Sequence, residues 1–187
     1  MRQFKIIAIA FSLVLVNTGC SMMAPKYTTS IENVQALTNN GSSEVKVGQI
    51  STGSVASQSN PIKIRTNSLQ SPYDNSFSAF VAEAIKQELT LAKRNSFTSN
   101  IEITGELLKN DIDATGFNTG MTTIEARFKV LREGKTNFDQ IKSVNHEFPS
   151  HFVGAIAIPN AVLSYNVALQ KLLNSLYEDK AFIEAIK

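Results

Sequence analysis

Two hydrophobic periods alternate along this chain, and their order limits what it can fold into. Glu44-Val45-Lys46-Val47-Gly48-Gln49-Ile50 alternates polar and apolar residues, and Pro61-Ile62-Lys63-Ile64-Arg65-Thr66 does the same. A period of two places one set of side chains on one face of a strand. The period then lengthens. Phe77, Phe80, Val81, Ala84, Ile85 and Leu89 recur at helical spacing, with Ser71 as cap, Pro72 in the first turn, and Lys86, Glu88 and Lys93 expected to stay wet. Alternation returns in Ile101-Glu102-Ile103-Thr104-Gly105-Glu106-Leu107, continues through 110–114, and recurs at Ile124, Ala126, Phe128 and Val130. Arg132-Glu133-Gly134-Lys135 predicts a hairpin turn into a strand between Phe138 and Phe148. Pro159-Asn160-Ala161 predicts the start of a second long helix, striped by Val162, Tyr165, Leu169, Leu172, Leu173 and Leu176, and 179–186 a short terminal one. Strands, helix, meander, helix is the order of an α+β fold: a mainly antiparallel sheet with two long helices packed on one face.

The N-terminus carries a different kind of signal. Arg2 and Lys5 precede an apolar run from Ile6 to Val16 that ends in Asn17-Thr18-Gly19-Cys20. A positive start, a short apolar stretch and a small residue before the cut are what export requires, and the run is too short to span a bilayer as a helix. Cys20 is the only cysteine, which excludes a disulfide framework. Thr18, Gly19 and Cys20 resemble a bacterial lipobox, from which Asn17 departs. The resemblance implies removal of residues 1–19, lipid attachment at Cys20, and a membrane partner reached through that lipid. An ordinary signal peptide with a nearby cysteine is the alternative. Ser21, where a retention signal would carry Asp, implies the outer membrane, periplasmic face.

The division expected is 1–19 signal, 20–43 lipidated cysteine and tether, and 44–187 periplasmic α+β domain. Residues 21–43 are rich in Ser, Thr and Asn, as a flexible linker is. Ile31, Val34 and Leu37 recur every three residues, so part of the segment can instead dock on the domain.

The chain holds 18 Lys and Arg against 16 Asp and Glu, and the excess is Arg2 and Lys5. Without the signal the chain is neutral, which argues against a nucleic-acid partner, since phosphate binding needs clustered basic charge. At 187 residues there is room for one domain with a core, and 11 Phe with no Trp predict a Phe-centred interior.

Catalytic constellations are thin. His146, with Glu147 beside it, and His151 do not have metal-ligand spacing, and zinc needs three or four ligands. Asp111 and Asp113 share one side of an extended strand, where they can share a proton or a cation, or form a solvated face. No nucleophile elbow, phosphate loop or dinucleotide fingerprint is present. The Thr115–Thr122 stretch with Gly116 and Gly120 reads as a flexible loop. No metal, cofactor or catalytic residue is expected. A hydrolase acting on envelope polymers would be the enzymatic alternative, dependent on His146 or Asp111.

One connecting segment is unusual. Residues 148–159, Phe148-Pro149-Ser150-His151-Phe152-Val153-Gly154-Ala155-Ile156-Ala157-Ile158-Pro159, are almost uncharged and without clear period. Loops are generally polar. Either this segment closes the open end of the core, or it exposes an apolar patch. In the second case Phe148, Phe152, Val153, Ile156 and Ile158 are the candidate partner-binding residues.

Phe152-x-Gly154-x-x-Ala157-Ile158-Pro159-x-Ala161, then Tyr165, Leu172-Leu173 and Asp179-x-x-Phe182, together with the signal and Cys20, resemble the YajG type of proteobacterial outer-membrane lipoprotein. That resemblance implies an α/β lipoprotein domain without enzymatic activity. The order of elements is also similar to LptE, the lipoprotein that plugs the lipopolysaccharide translocon. The expected function is therefore a non-catalytic binding or assembly module for a cell-envelope complex, with an envelope protein as partner. The alternative is a lipid or glycolipid carrier whose helices part from the sheet to shelter acyl chains.

Overall fold

The computed structural model describes residues 20–40 and 43–187. The signal read in residues 1–19, including Asn17, Thr18 and Gly19, lies outside the described residues; Cys20 is the first of them.

The larger of two sheets is built from β2 (Lys46–Thr52), β5 (Ile101–Asp113), β6 (Thr119–Arg132) and β7 (Lys135–Pro149), in the order β2-β5-β6-β7. The three long strands form the antiparallel meander that the alternation predicts, and β2 pairs parallel to β5 at the edge. In β6 the inward set is Gly120, Thr122, Ile124, Ala126, Phe128 and Val130, every second residue. The β6–β7 turn places Glu133 at φ 50° and Gly134 at φ 79°, two successive positive angles of the kind a two-residue hairpin needs.

In β5 the pattern slips. Leu107 faces Ala126, but Lys109 faces Glu125, so Leu108 is an extra residue in the ladder. The bulge reverses the alternation: Ile101, Ile103 and Leu107 point inward before it, Asn110 and Ile112 after it. Asp111 and Asp113 are consequently turned out to solvent.

The smaller sheet has the order β1-β4-β3, from β1 (Ser21–Met23), β3 (Ile62–Ile64) and β4 (Asn67–Gln70). A short helix, α2 (Ser54–Gln58), precedes β3 in the chain. The stretch 61–66 thus supplies a strand, as its alternation predicts, but in a separate hairpin.

The two long helices are α3 (Phe77–Leu91) and α4 (Gly154–Tyr177), both packed on the large sheet, followed by α5 (Lys180–Ala185). Helix α3 starts later than Ser71-Pro72 suggests. Asp74 and Asn75 both have positive φ, 51° and 53°, so the chain cannot coil until Ser76, whose hydroxyl accepts from the Ala79 amide at 3.3 Å. Helix α4 starts earlier than Pro159 suggests, at Gly154, with Pro159 inside it. Lacking an N–H, Pro159 leaves the Ala155 carbonyl without its helical donor, tolerable because Ala155 is exposed. Phe77, Phe80, Phe128 and Phe182 are fully buried, and Phe77 and Phe80 each pack against the Tyr165 ring, at 4.9 and 5.3 Å between centroids.

The segment read as tether is folded. β1 pairs parallel with β4, and residues 31–39 form a helix, α1 (Ile31–Asn39), capped by Ser30 and lying over α3 and α4. Of the three residues that mark possible docking, Leu37 is buried, Val34 packs partly on the core and Ile31 is exposed.

Candidate functional site

Three loops meet at one end of the molecule and are tied together by Arg65. It lies in the turn between β3 and β4 with φ 55°. Its Nε donates to the Ala114 carbonyl at 2.9 Å, Nη1 to the Phe152 carbonyl at 2.9 Å, and Nη2 to the His151 carbonyl at 2.6 Å. A planar guanidinium with donors in a fixed fork is suited to this task. The β5–β6 loop and the loop after β7 are further joined by the Ser150 amide donating to the Asn118 carbonyl at 2.9 Å.

On this scaffold stand two exposed aromatic rings. Phe117 and Phe152 stack with centroids 5.8 Å apart and planes 6° from parallel, at 69% and 72% exposure. Val153 and Ile156 continue the apolar surface. Phe148 does not: it is 5% exposed and its ring covers Gly120, so it belongs to the core and not to the accessible patch. Ile158 is partly buried against the core as well. The segment 148–159 therefore does both things that the sequence left open, closing the core with Phe148 and exposing Phe152. Phe117 is absent from the sequence-derived set; a Phe among Gly, Asn and Thr in a loop was the signal.

Cys20 emerges at the same end. Its carbonyl accepts from the Ser68 amide at 3.0 Å, and Ser21 pairs with Ser68, so Cys20 sits beside the turn that carries Arg65. Its own side chain is exposed. Nearby, Lys63 Nζ donates to Ser68 Oγ at 2.7 Å. Farther along α4, Leu163 and Val167 are exposed one and two turns beyond Pro159, and no charged residue occurs between Gly154 and Gln170.

A second cluster fixes the N-terminal segment. Glu88, read from spacing as solvent-facing, is fully buried. Its Oε1 accepts from the Tyr27 hydroxyl at 2.6 Å, the Ser30 amide at 3.1 Å and Asn33 Nδ2 at 3.1 Å. Burial raises the Glu88 pKa, and these hydrogen bonds oppose the rise in part. The Tyr27 hydroxyl is held protonated, first by burial and then by the nearby carboxylate. Glu88 is interior because α1 covers the side of α3 that spacing alone leaves open.

The titratable residues singled out from sequence are dispersed. His146 lies on β7, half-buried, its Nδ1 3.0 Å from Lys171 Nζ, and its pKa is lowered by burial and by that ammonium. His151 lies in the loop after β7, its Nδ1 accepting from the Val153 amide at 2.9 Å. Asp113 accepts from the amide and hydroxyl of Thr115 at 2.9 and 2.6 Å, which lower its pKa. Among the described residues, no group of three or more His, Cys, Asp or Glu is placed to hold a metal ion. No described helix is long and apolar enough to cross a membrane.

No protein-family model and no curated protein matches the chain. Among solved structures, a candidate lipoprotein from Caulobacter crescentus CB15 aligns over 82% of this chain and 95% of its own at 10% identity and a TM-score of 0.49. Protein XCC0632 from Xanthomonas campestris, described by the family model DUF330, aligns over 88% of this chain and 96% of its own, with 12% identity and a TM-score of 0.60, and its fold is the one this chain adopts.

Proposed function

We propose that this chain is an outer-membrane-anchored periplasmic lipoprotein, attached through Cys20, that serves as a non-catalytic binding or assembly module for a cell-envelope complex. The observation that carries the binding role is the outer face of α4, where Ile156, Leu163 and Val167 remain exposed on a stretch without charge. Contiguous exposed apolar surface marks interaction sites. The exposed Cys20, after a short apolar segment with a positive start, supports the anchor. The YajG-type likeness of the C-terminal residues fits the same reading.

The carrier reading has less support. Phe128, Tyr165 and Leu169 belong to the filled interface between helices and sheet. Grooves of about 420 and 570 Å³ lie instead on the outer side of α3, with Glu83 and Lys86 lining both.

The test is photo-crosslinking in intact cells from Ile156 and Leu163, with exposed Ser143 on the sheet as control. A discrete adduct with one envelope protein, obtained from the α4 positions alone, is the expected result. No adduct from either α4 position rejects the binding role, and unchanged membrane fractionation of Cys20→Ala rejects the anchor.

A further inference from the structure

We infer that the stacked pair Phe117 and Phe152 is a membrane-seating tip, inserted into the same lipid surface that holds Cys20. The inference rests on the lipid-anchor reading and adds an orientation to it.

The attachment at Cys20 has no slack. Cys20 is followed at once by β1, whose residues 21–23 are paired with Ser68–Gln70, and the Cys20 carbonyl is itself bonded to the Ser68 amide. Adjacent strands lie about 5 Å apart, so an acylated Cys20 holds the β3–β4 turn within a few ångströms of the headgroups. Arg65 in that turn grips the carbonyls of His151 and Phe152. The end of the domain bearing both rings must therefore face the bilayer.

What stands there suits a bilayer interface. Two exposed aromatic rings project beside Val153, with Lys63 near the anchor. Amphipathic surfaces of this kind bury apolar groups about 5–10 Å into the headgroup and acyl boundary, and basic residues are attracted to anionic lipid. Asp113 is also at this end, its carboxylate turned onto Thr115. Sheet geometry supplies an internal control. Phe97 is as exposed as the pair, at 77%, but it precedes β5, whereas Phe117 follows it. The 13 residues of β5 separate these positions by about 40 Å at the usual rise per residue.

The chain contains no Trp, so Phe117→Trp, Phe152→Trp and Phe97→Trp each introduce a single reporter at an exposed position. Full-length lipidated protein carrying each is reconstituted into phosphatidylethanolamine and phosphatidylglycerol vesicles with brominated acyl chains. Positions 117 and 152 should be quenched at least about twofold more than position 97, as expected for rings at interfacial depth. If the protein floats with the vesicles while 117 and 152 stay unquenched, the anchor reading stands and this inference is overturned. Equal quenching at all three positions overturns it too, because the domain would then lie without a fixed orientation. If the protein does not float at all, the anchor reading has failed and the inference falls with it.

Discussion

The Tyr27 hydroxyl donates to Glu88 Oε1 at 2.6 Å, across 61 residues of chain, inside the layer between α1 and α3. This contact, with those from Ser30 and Asn33, fastens the N-terminal segment to the domain.

Glu88→Ala should therefore act beyond its own helix. It leaves the Tyr27 hydroxyl and the Ser30 amide without their acceptor and Asn33 Nδ2 with the Gln170 carbonyl alone, and orphaning a buried network costs about 3–5 kcal/mol. Denaturant melts should show that loss. Limited trypsin digestion should cut after Lys26, a bond next to Tyr27, faster in the variant than in the parent. An unchanged rate at Lys26 would mean that the segment is held by other contacts.

The same carboxyl gives a pH dependence of defined sign. Burial raises the Glu88 pKa above its ordinary value, so between those two values the folded chain keeps a proton that the unfolded chain has lost. Its contribution to stability is present below the ordinary glutamate pKa and falls as pH rises through the raised one. Asp113, Asp139 and Asp179 have lowered pKa values, and their contributions disappear at lower pH, beneath the ordinary aspartate range. Glu88→Gln should abolish the decline above the ordinary glutamate value and leave the acid limb in place, as read by melting temperature against pH.

Phe148 and Phe152 are four residues apart and should respond in opposite ways. Phe148→Ala opens a cavity under the end of the sheet and should cost about 3–5 kcal/mol. Phe152→Ala removes an exposed ring and should change stability by less than about 0.5 kcal/mol. Chemical denaturation of the two variants measures both.

Gly120→Ala tests the packing beneath the loops. An added Cβ would lie 2.3 Å from the Phe148 ring and 2.8 Å from the Asp113 carbonyl. Overpacking of this sort costs about 1–3 kcal/mol, so the melting temperature should fall. Combining it with Phe148→Leu should restore part of the loss, since the obstructing ring is gone.

These contrasts mark how far the residues alone could be read. The β6 alternation, the Glu133-Gly134 turn and the short terminal helix within 179–186 were legible because each is set by neighbours in sequence. Strand β1 was not: three residues paired parallel to β4 have no local pattern, and their hydrogen bonds come from a segment about fifty residues away. The bulge at Leu108 was equally hidden, although it decides that Asn110 points inward. Spacing placed Glu88 on the wet side of α3, since only α1 makes that side an interior. For the candidate site, composition marked 148–159 as unusual, but it could not separate the ring that seals the core from the ring that faces outward. Phe117 joined the pair only through the Arg65 and Ser150 links between loops.

The pairing of β1 with β4 has a consequence for how copies of this protein would encounter anything else. A domain on a flexible leash samples all headings above the bilayer, and most collisions bring the wrong side forward. One held directly at its first strand, as proposed for Cys20, would keep the α4 face at a fixed bearing to the membrane plane. With Cys20 acylated as proposed, the search for a partner would be lateral diffusion in two dimensions, with only spin about the membrane normal left to average.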